Sequence, residues 1–436
     1  MSGENCFNVL DKIFIPKKKE SIEEIKGYTI KYGNIVEGNN IVDEVLVSYF
    51  KKPKSYTTEN MCEINSHGGN FIMKRILELC LKNGAELAEP GEFTKRAFLN
   101  GRIDLLQAES VIDVINAKSE REAKAGINQL EGALSKEIAN IKKEIMDVMV
   151  NIEVAIDYPE YDVDEVTNLQ IEDMIKKIKI KLKKLEESFD SGKIIKEGIK
   201  TVIVGKPNAG KSSLLNAILK EERAIVTEFE GTTRDTIEEF VVIKGIPLKL
   251  IDTAGIRNAK DEVEKIGIAK SKEMANKADL IILILDASKE LEKEDIEIID
   301  SIKNKKSIII LNKMDLESKI NIENIRNLGI EAPVLKISAL NNLGIDEIYD
   351  KISELFNLNE INLDNELVIT NIRQKNLITK ALESVYETEK TIEDNMPIDI
   401  VAISIKNILE ELGKITGDFV SEDIINEIFS KFCLGK

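Results

Sequence analysis

The spacing of apolar residues changes along the chain and indicates regions of different secondary structure. Residues 28–33 and 44–50 alternate apolar and polar positions as half-buried strands do, and 61–65 is a third short strand. Apolar residues at helical spacing follow over 71–81. The first region, up to about residue 103, is therefore predicted to be α+β.

Residues 105–198 have the spacing of helices. Apolar residues recur every three or four positions over 127–152, which predicts one long helix, and Asp157-Tyr158-Pro159 ends it. A second stripe over 171–189 predicts a second helix. We interpret its lysines, between 176 and 184, as a solvated face balanced by nearby acids rather than as an RNA-binding stripe.

Short apolar runs alternate with helical segments over 199–360, as is typical of a mostly parallel sheet covered on both faces. One pair of runs turns at Gly245 and is predicted to be a hairpin that adds an antiparallel edge strand. The predicted strands are about 200–204, 237–243, 247–252, 280–285, 307–311 and 334–337. Helical spacing returns after 364, so the α/β region is predicted to be inserted between two helical blocks.

The stretch Gly205-Lys206-Pro207-Asn208-Ala209-Gly210-Lys211-Ser212 joins a predicted strand to a predicted helix and has the pattern G-x-x-x-x-G-K-S. The two glycines allow the backbone to wrap around a polyphosphate. Lys211 reaches the β- and γ-phosphates, and the Ser212 hydroxyl binds Mg²⁺. A plain glycine turn is the weaker alternative, because strand, helix and complete pattern occur together.

Two later motifs select guanine over adenine. Asn312-Lys313-Met314-Asp315 follows a predicted strand directly. A carboxylate at Asp315 can accept both the N1–H and the exocyclic amine of guanine, a donor pair that adenine lacks. Ser338-Ala339-Leu340 follows the next strand and fits a backbone contact to the guanine carbonyl.

Two stretches between these motifs are predicted to be switch loops. Asp252-Thr253-Ala254-Gly255 is a D-x-x-G turn, in which Asp252 would hold the Mg²⁺ shell through water and Gly255 would meet the γ-phosphate. Both this turn and the loop around Thr232 and Thr233 are expected to order with GTP and relax with GDP. The residues predicted to bind GTP are Asn208, Ala209, Gly210, Lys211, Ser212, Ser213, Thr227, Glu228, Phe229, Glu230, Gly231, Thr232, Thr233, Asp252, Thr253, Ala254, Gly255, Asn312, Lys313, Asp315, Ser338 and Ala339.

Composition narrows the class of protein. A chain of 436 residues is too long for one core, so two or three domains are expected. No apolar run approaches the ~18–20 residues that span a bilayer and no signal peptide opens the chain, so no membrane association is expected. A net charge of −17 argues against broad nonspecific binding to nucleic acid. The cysteines show neither pairing nor metal spacing, which favours a reduced cytosol; they are Cys6, Cys62, Cys80 and Cys433.

Two further stretches carry a family resemblance. The first runs from Pro90-Gly91-Glu92-Phe93 to Gln107-Ala108-Glu109, and the second is Cys433-Leu434-Gly435-Lys436, a C-x-G-K end. With the motifs above, they resemble the MnmE (also called TrmE) family of the TrmE-Era-EngA-YihA-Septin-like GTPases, over nearly the whole chain. The resemblance implies a multidomain fold: an N-terminal α+β folate-binding and dimerisation domain (1–103), a discontinuous α-helical domain (104–198 and 364–436), and a Ras-like α/β P-loop G domain (199–360) inserted in the helical domain.

The resemblance also implies how GTP is hydrolysed. Ile256 follows the D-x-x-G turn and cannot orient water as a glutamine would, so the family's glutamate, here Glu264, is the expected catalytic residue beside Lys211. A K⁺ ion replaces an arginine finger, and two G domains pair across their switches to create its site. The implied ligands are Asn208, Thr227, Phe229 and Thr232 for K⁺, and Ser212 and Thr233 for Mg²⁺.

Family members are homodimers that work with the flavoprotein MnmG. The resemblance implies a cytoplasmic heterotetramer that places an aminomethyl or carboxymethylaminomethyl group on carbon 5 of the wobble uridine (U34) of certain tRNAs. The one-carbon unit comes from 5-formyl- or methylene-tetrahydrofolate. Glu63, Arg102 and Lys436 are the implied folate contacts, and Cys433 is a candidate reactive thiol. The alternatives are an ordinary surface arginine at 102, a frayed end at 436 and a buried thiol at 433.

One departure from the family concerns the start of the chain. The family's opening strand and its V-R-I-S-G turn would end where this chain starts, at Met1-Ser2-Gly3, so the family's first folate-contacting arginine is missing. A misassigned start, a truncated chain and impaired folate binding are the three explanations. The apparently missing strand would leave a sheet edge open.

Two functions of other classes compete with tRNA modification. One is an RNA-binding assembly switch such as a ribosome-maturation GTPase, and the other is a dimeric scaffold whose GTP site is regulatory and slow. Analysis of tRNA nucleosides in a strain that lacks the gene tests the first. A comparison of turnover in K⁺ and Na⁺ tests the second.

Overall fold

The computed structural model describes residues 1–18, 26–157, 164–220, 239–243, 246–251, 278–358 and 367–432. The chain forms two compact units. The first contains Met1–Ile112, Gln129–Glu144 and Leu409–Lys436, and the second contains Asp113–Asn128 and Ile145–Ile408. Each unit is thus discontinuous in sequence, while the three-domain boundaries stay a prediction.

The described residues form the following helices and strands. The helices are α1 (Cys6–Ile13), α2 (Asn70–Lys82), α3 (Glu92–Leu99), α4 (Leu105–Ile115), α5 (Glu120–Leu130), α6 (Ala133–Asp157), α7 (Asp164–Glu197), α8 (Lys211–Lys220), α9 (Lys293–Ile302), α10 (Ile322–Arg326), α11 (Ile345–Leu355), α12 (Ile372–Glu393), α13 (Ile398–Thr416) and α14 (Glu422–Ser430). The strands are β1 (Phe14–Pro16), β2 (Thr29–Glu37), β3 (Asn40–Phe50), β4 (Met61–Asn65), β5 (Ile199–Val204), β6 (Glu239–Ile243), β7 (Ile246–Leu250), β8 (Leu280–Asp286), β9 (Ser307–Asn312) and β10 (Val334–Lys336).

The first unit contains an antiparallel sheet in the order β1-β2-β3-β4. Apolar residues of α1 and α2, such as Leu10 and Leu79, cover one face and form a core with Ile35 and Val47. Residues 1–3 lie along β4, where the Cys62 N–H donates to the Met1 carbonyl at 2.9 Å. Sequence reasoning did not predict α1, although its apolar residues have helical spacing.

One predicted helix is two helices. The stripe over 127–152 is divided between α5 and α6, because Gly132 adopts a left-handed φ of +81°. A residue with that φ cannot continue a right-handed helix. The prediction of one long helix was wrong because Leu130 and Leu134 keep the helical spacing across the break.

The second unit contains a sheet in the order β10-β9-β8-β5-β7-β6. All neighbouring pairs are parallel except β6 with β7, which confirms the predicted antiparallel edge strand. Helices α8 and α11 cover one face, and α9 and α10 cover the other. The multidomain fold with an inserted, Ras-like α/β region is therefore confirmed.

The helix α7 is 34 residues long and contacts α12. Lys179 forms an ion pair of 2.6 Å with Glu389, while Lys176 and Lys177 pair with Glu172 and Asp173 on their own helix. The pairs of Lys176 and Lys177 agree with the interpretation of the lysines as a solvated face balanced by nearby acids, whereas Lys179 lies against α12. None of the helices described here combines the length and apolar character needed to cross a bilayer.

Candidate active site

The phosphate-binding loop, residues 205–212, connects the central strand β5 to α8. Gly205 has a φ of +150°, and a Cβ there would lie 2.4 Å from the Ile284 carbonyl oxygen of β8. Gly210 has a φ of +106°, and a Cβ there would lie 2.0 Å from Asn312 Nδ2. Both glycines are therefore required by close packing as well as by backbone conformation.

The lysine of this loop is held by the loop itself. Lys211 Nζ donates to the carbonyl oxygens of Gly205 at 2.6 Å and Lys206 at 2.9 Å. The α8 helix begins at Lys211, so the ammonium lies at the helix end that carries the positive end of the macrodipole. The arrangement concentrates positive charge where a polyphosphate would bind.

One buried amide side chain forms hydrogen bonds with two neighbouring loops. Asn312, at the end of β9, is 2% exposed. Its Nδ2 donates to the Ala209 carbonyl at 3.0 Å, and its Oδ1 accepts from the Ala339 N–H at 3.0 Å. The phosphate-binding loop, the Asn312–Asp315 motif and the Ser338–Leu340 motif, predicted separately from the sequence, therefore lie together at one end of the sheet.

Lys313, which follows Asn312 in the motif, is held by a carboxylate at the end of β8. Lys313 has a left-handed φ of +65°, and its Nζ lies 2.6 Å from Asp286 Oδ2. The other oxygen, Oδ1, accepts from the Ser288 hydroxyl at 2.6 Å. Burial opposes ionisation of Asp286, but the hydrogen bonds from Lys313 and Ser288 outweigh it and hold its pKa below the ordinary value.

The carboxylate predicted to bind guanine is oriented by a serine. The Ser338 hydroxyl is buried and donates to Asp315 Oδ1 at 2.5 Å, while Asp315 itself is exposed. Ser338 and Leu343 exchange two backbone hydrogen bonds of 3.0 Å, which close the loop between them. Asp315 is thereby presented to solvent in a fixed direction.

Part of the predicted site lies outside the described residues. This holds for both switch loops, with Thr227, Glu228, Phe229, Glu230, Gly231, Thr232, Thr233, Asp252, Thr253, Ala254, Gly255 and Glu264, and for Cys433 and Lys436. Among the described residues, Ser212 and Ser213 lie in the first turn of α8, and Asn208 is exposed with a φ of +62°.

The two described folate candidates belong to the first unit. Glu63 is exposed on β4, opposite Ser48 of β3. Arg102 is exposed, and its guanidinium lies 4.4 Å from the centre of the Tyr56 ring. The Tyr56 hydroxyl lies 2.9 Å from the buried Thr94 hydroxyl, which fixes the ring under the cation.

Sequence reasoning missed Asp286, Ser288 and the acidic partners of Lys206. Lys206 pairs with Glu292 and lies 3.6 Å from Asp295. The sequence did carry a signal for Asp286, which directly follows a run of apolar residues. A carboxylate in that position of a parallel sheet lies at the edge where ligands bind.

Family models match most of the chain. The model described as the GTP-binding protein TrmE N-terminus matches residues 1–102, and the MnmE helical domain matches residues 105–433. A tRNA modification GTPase MnmE from Clostridioides difficile (strain 630) is 51% identical, and one from Alkaliphilus metalliredigens (strain QYMF) is 50% identical. Each alignment covers this whole chain and 95% of the relative.

Two solved structures resemble parts of the chain. The G domain of the T. maritima FeoB iron transporter is 27% identical, with 36% of this chain and 98% of that chain covered and a TM-score of 0.27. Aquifex aeolicus Era is 25% identical, with 43% of this chain and 66% of that chain covered and a TM-score of 0.27.

Proposed function

The chain belongs to the MnmE family of tRNA modification GTPases, and from this premise we propose that it hydrolyses GTP to drive modification of the wobble uridine of certain tRNAs. The observation that carries the proposal is an identity of about half the residues along the whole chain to relatives that are tRNA modification GTPases. The reaction adds a (carboxymethyl)aminomethyl group to carbon 5 of the uridine. A cytoplasmic complex with the flavoprotein MnmG performs it, using a tetrahydrofolate one-carbon unit.

The phosphate end of GTP is bound by the loop and by α8. Lys211, which the Gly205 and Lys206 carbonyls already hold at the loop, binds the β- and γ-phosphates. The Ser212 hydroxyl in the first turn of α8 is an oxygen ligand of the type that Mg²⁺ prefers. Mg²⁺, when bound with Thr233 as a further ligand, neutralises charge on the phosphates.

The base end of GTP is bound by Asp315. The Ser338 hydroxyl fixes one carboxylate oxygen, so that the carboxylate accepts the two neighbouring donors of guanine without losing side-chain freedom on binding. The Ala339 N–H donates to Asn312 Oδ1. A guanine carbonyl therefore shares that N–H or accepts from the next one, of Leu340.

The residues that we assign to hydrolysis are assigned from the resemblance to the family. We assign Glu264 as the residue that orients the attacking water, and Asn208, Thr227, Phe229 and Thr232 as K⁺ ligands. Asn208 supports this assignment, because its exposed side chain projects from the phosphate-binding loop. K⁺, when bound, supplies positive charge to the transferring phosphoryl group, as an arginine finger does in other GTPases.

The N-terminal sheet supports a homodimer. The β2–β3 face that α1 and α2 leave uncovered exposes Ile30, Tyr32 and Leu46, and Tyr32 lies directly opposite Leu46. A contiguous apolar surface of this kind marks an interaction site. We propose that a second copy covers this face, and that Glu63, Arg102 and Lys436 bind the folate.

The function is tested by nucleotide turnover and by tRNA analysis. The purified protein should hydrolyse GTP faster in K⁺ than in Na⁺ and should not use ATP. Wobble-uridine modification should be absent from a strain that lacks the gene and should return with the wild-type gene but not with Lys211→Ala. Equal use of ATP would overturn the nucleotide assignment, and an unchanged wobble uridine would overturn the role in tRNA modification alone.

A further inference from the structure

Two stretches of chain connect the six-stranded sheet to the helices of the second unit, and both contact one carboxylate. The first passes from the end of α7 to β5, and the second leads into α12. On the first, Lys196 Nζ lies 2.7 Å from Asp113 Oδ1. On the second, Thr370 Oγ1 lies 3.5 Å from Asp113 Oδ2. Asp113, near the end of α4, therefore contacts both connections.

The second connection also packs against the last turns of α7, which lead into the first connection. The Ile369 N–H donates to Ser188 Oγ at 3.2 Å. A Cβ at Gly192 would lie 2.0 Å from the Ile369 carbonyl oxygen, so no side chain fits there. The second connection is therefore held closely against the end of α7.

The carboxylates at this point are shielded from water, while Lys196 is partly exposed. The Asp113 side chain is 8% exposed, and a second buried carboxylate, Glu122, lies in the same segment, Asp113–Asn128. The pKa of Glu122 is raised to about 7, chiefly by burial and in smaller part by the charge of Asp113, while Lys118 and Lys196 oppose the rise. Lys196 thus pairs with Asp113, and its charge also lowers the pKa of Glu122. Because a buried ion pair adds little stability over an apolar pair, its better-attested use is to fix a specific geometry.

We propose that Asp113 and Lys196 form a clamp through which β5 and the phosphate-binding loop control the segment Asp113–Asn128. Lys196 lies three residues before β5, and β5 ends at the phosphate-binding loop. A shift of that loop on nucleotide binding is transmitted by the strand to Lys196, and by the ion pair to Asp113. Asp113 is a positioning residue here, and the inference rests on the proposed binding of GTP.

Hydrogen exchange of the full-length protein tests the clamp, measured with Mg²⁺ alone and with Mg²⁺ plus a non-hydrolysable GTP analogue. In the wild type, the analogue should change protection both over 205–212 and over 113–128. In Lys196→Met, which keeps an apolar stem, the response over 205–212 should persist. The response over 113–128 should fall by about fivefold or more, the range of a typical coupling free energy.

Lys193→Met is the matched control, because Lys193 is exposed on the same turn of α7. Its response over 113–128 should equal that of the wild type. Should Lys196→Met fail to fold, the exchanged pair Asp113→Lys with Lys196→Asp replaces it and should retain the response. An unchanged response in Lys196→Met, an equal loss in Lys193→Met, or no wild-type response over 113–128 overturns the clamp. No wild-type response over 205–212 counts instead against the proposed function.

Discussion

The two sheets of this chain bury their strands in different ways. In the six-stranded sheet, β8 and β9 are buried along almost their whole length, because helices cover both faces. In the four-stranded sheet, β2 and β3 bury one face under α1 and α2 and expose the other. The first sheet can therefore place functional side chains only at its strand ends, whereas the second has a whole face available for contacts.

The accessible surface differs between the two sheets. At the ends of β5 and β9, the Asn312 amide holds the phosphate-binding loop beside the loop after β10. On the open face of the other sheet, Ile30, Tyr32 and Leu46 form an apolar patch beside the exposed ion pair Lys17–Glu44. The comparison predicts that substitutions at strand ends change nucleotide binding, and that substitutions on the open face change assembly.

The largest expected effect comes from Gly210→Ala. The new Cβ would lie 2.0 Å from Asn312 Nδ2, so the phosphate-binding loop must move or the Asn312 bridge must break. We expect the affinity for GTP to fall by about 100-fold or more, as for an ångström-scale misplacement of catalytic groups. Titration with a fluorescent GTP analogue measures it.

Gly84→Ala is the matched control for this prediction. Gly84 has a φ of +108°, close to the +106° of Gly210, but nothing lies within 4 Å of its added Cβ. It therefore carries the same backbone strain without the clash. If Gly84→Ala weakened GTP binding as much as Gly210→Ala, packing against Asn312 would not be the cause.

The next effect is a change of base preference in Asp315→Asn. The variant loses the carboxylate that accepts two guanine donors, so GTP affinity should fall by about 100-fold. Xanthine carries a carbonyl in place of the guanine amine and should bind better to the variant than guanine does. Competition of GTP and XTP measures the change, with Glu317→Gln as an exposed neighbouring control. A variant that still prefers GTP would remove Asp315 from the base site.

Local patterns predicted the elements and the motifs, because each depends on neighbouring residues. The strand before Gly205, the strand before Asn312 and the antiparallel edge strand lie where the apolar runs indicated. The helix break at Gly132 was not predictable from periodicity, since the apolar stripe continues through it. A lone glycine within a helical pattern shows its left-handed φ only in the folded chain.

The contacts that assemble the site come from tertiary structure. Asn312 bonds to Ala209, 103 residues away in sequence, and Asp286 bonds to Lys313, 27 residues away. Sequence motifs identified Asn312 and Lys313 as site residues but gave no partner for either. Asp286 was therefore missed, although its position at the end of β8 was predictable.

A smaller effect concerns assembly through the open face. Ile30→Arg places a charge in the apolar patch of the four-stranded sheet and should weaken the proposed homodimer by about tenfold or more, as at an interface hot spot. Phe71→Arg changes the most exposed apolar residue of α2 and should leave the dimer intact. Sedimentation velocity over a concentration series measures both. If Phe71→Arg weakened the dimer and Ile30→Arg did not, the interface would lie on α2 rather than on the sheet.

The smallest effect compares one ion pair at each sheet. Lys313→Met leaves Asp286, whose side chain is 10% exposed, without its cation. Because Lys313 is itself partly exposed and solvent screens the pair, we expect a loss of about 1 kcal/mol rather than the several of a fully buried pair. Lys17→Met should cause no measurable loss, since both partners of the Lys17–Glu44 pair are exposed.

The pH dependence of these two variants sharpens the test. Burial opposes ionisation of Asp286, yet the hydrogen bonds from Lys313 and Ser288 hold its pKa below the ordinary value. The ionised Asp286 therefore stabilises the folded protein at pH values above the ordinary aspartate pKa. This stabilisation is lost as the pH falls through the lowered pKa of the folded state. The difference between Lys313→Met and the wild type in calorimetric unfolding should therefore shrink in acid. Equal losses for Lys313→Met and Lys17→Met would mean that water reaches the end of β8 as freely as the open face, and the distinction between the two sheets would fail there.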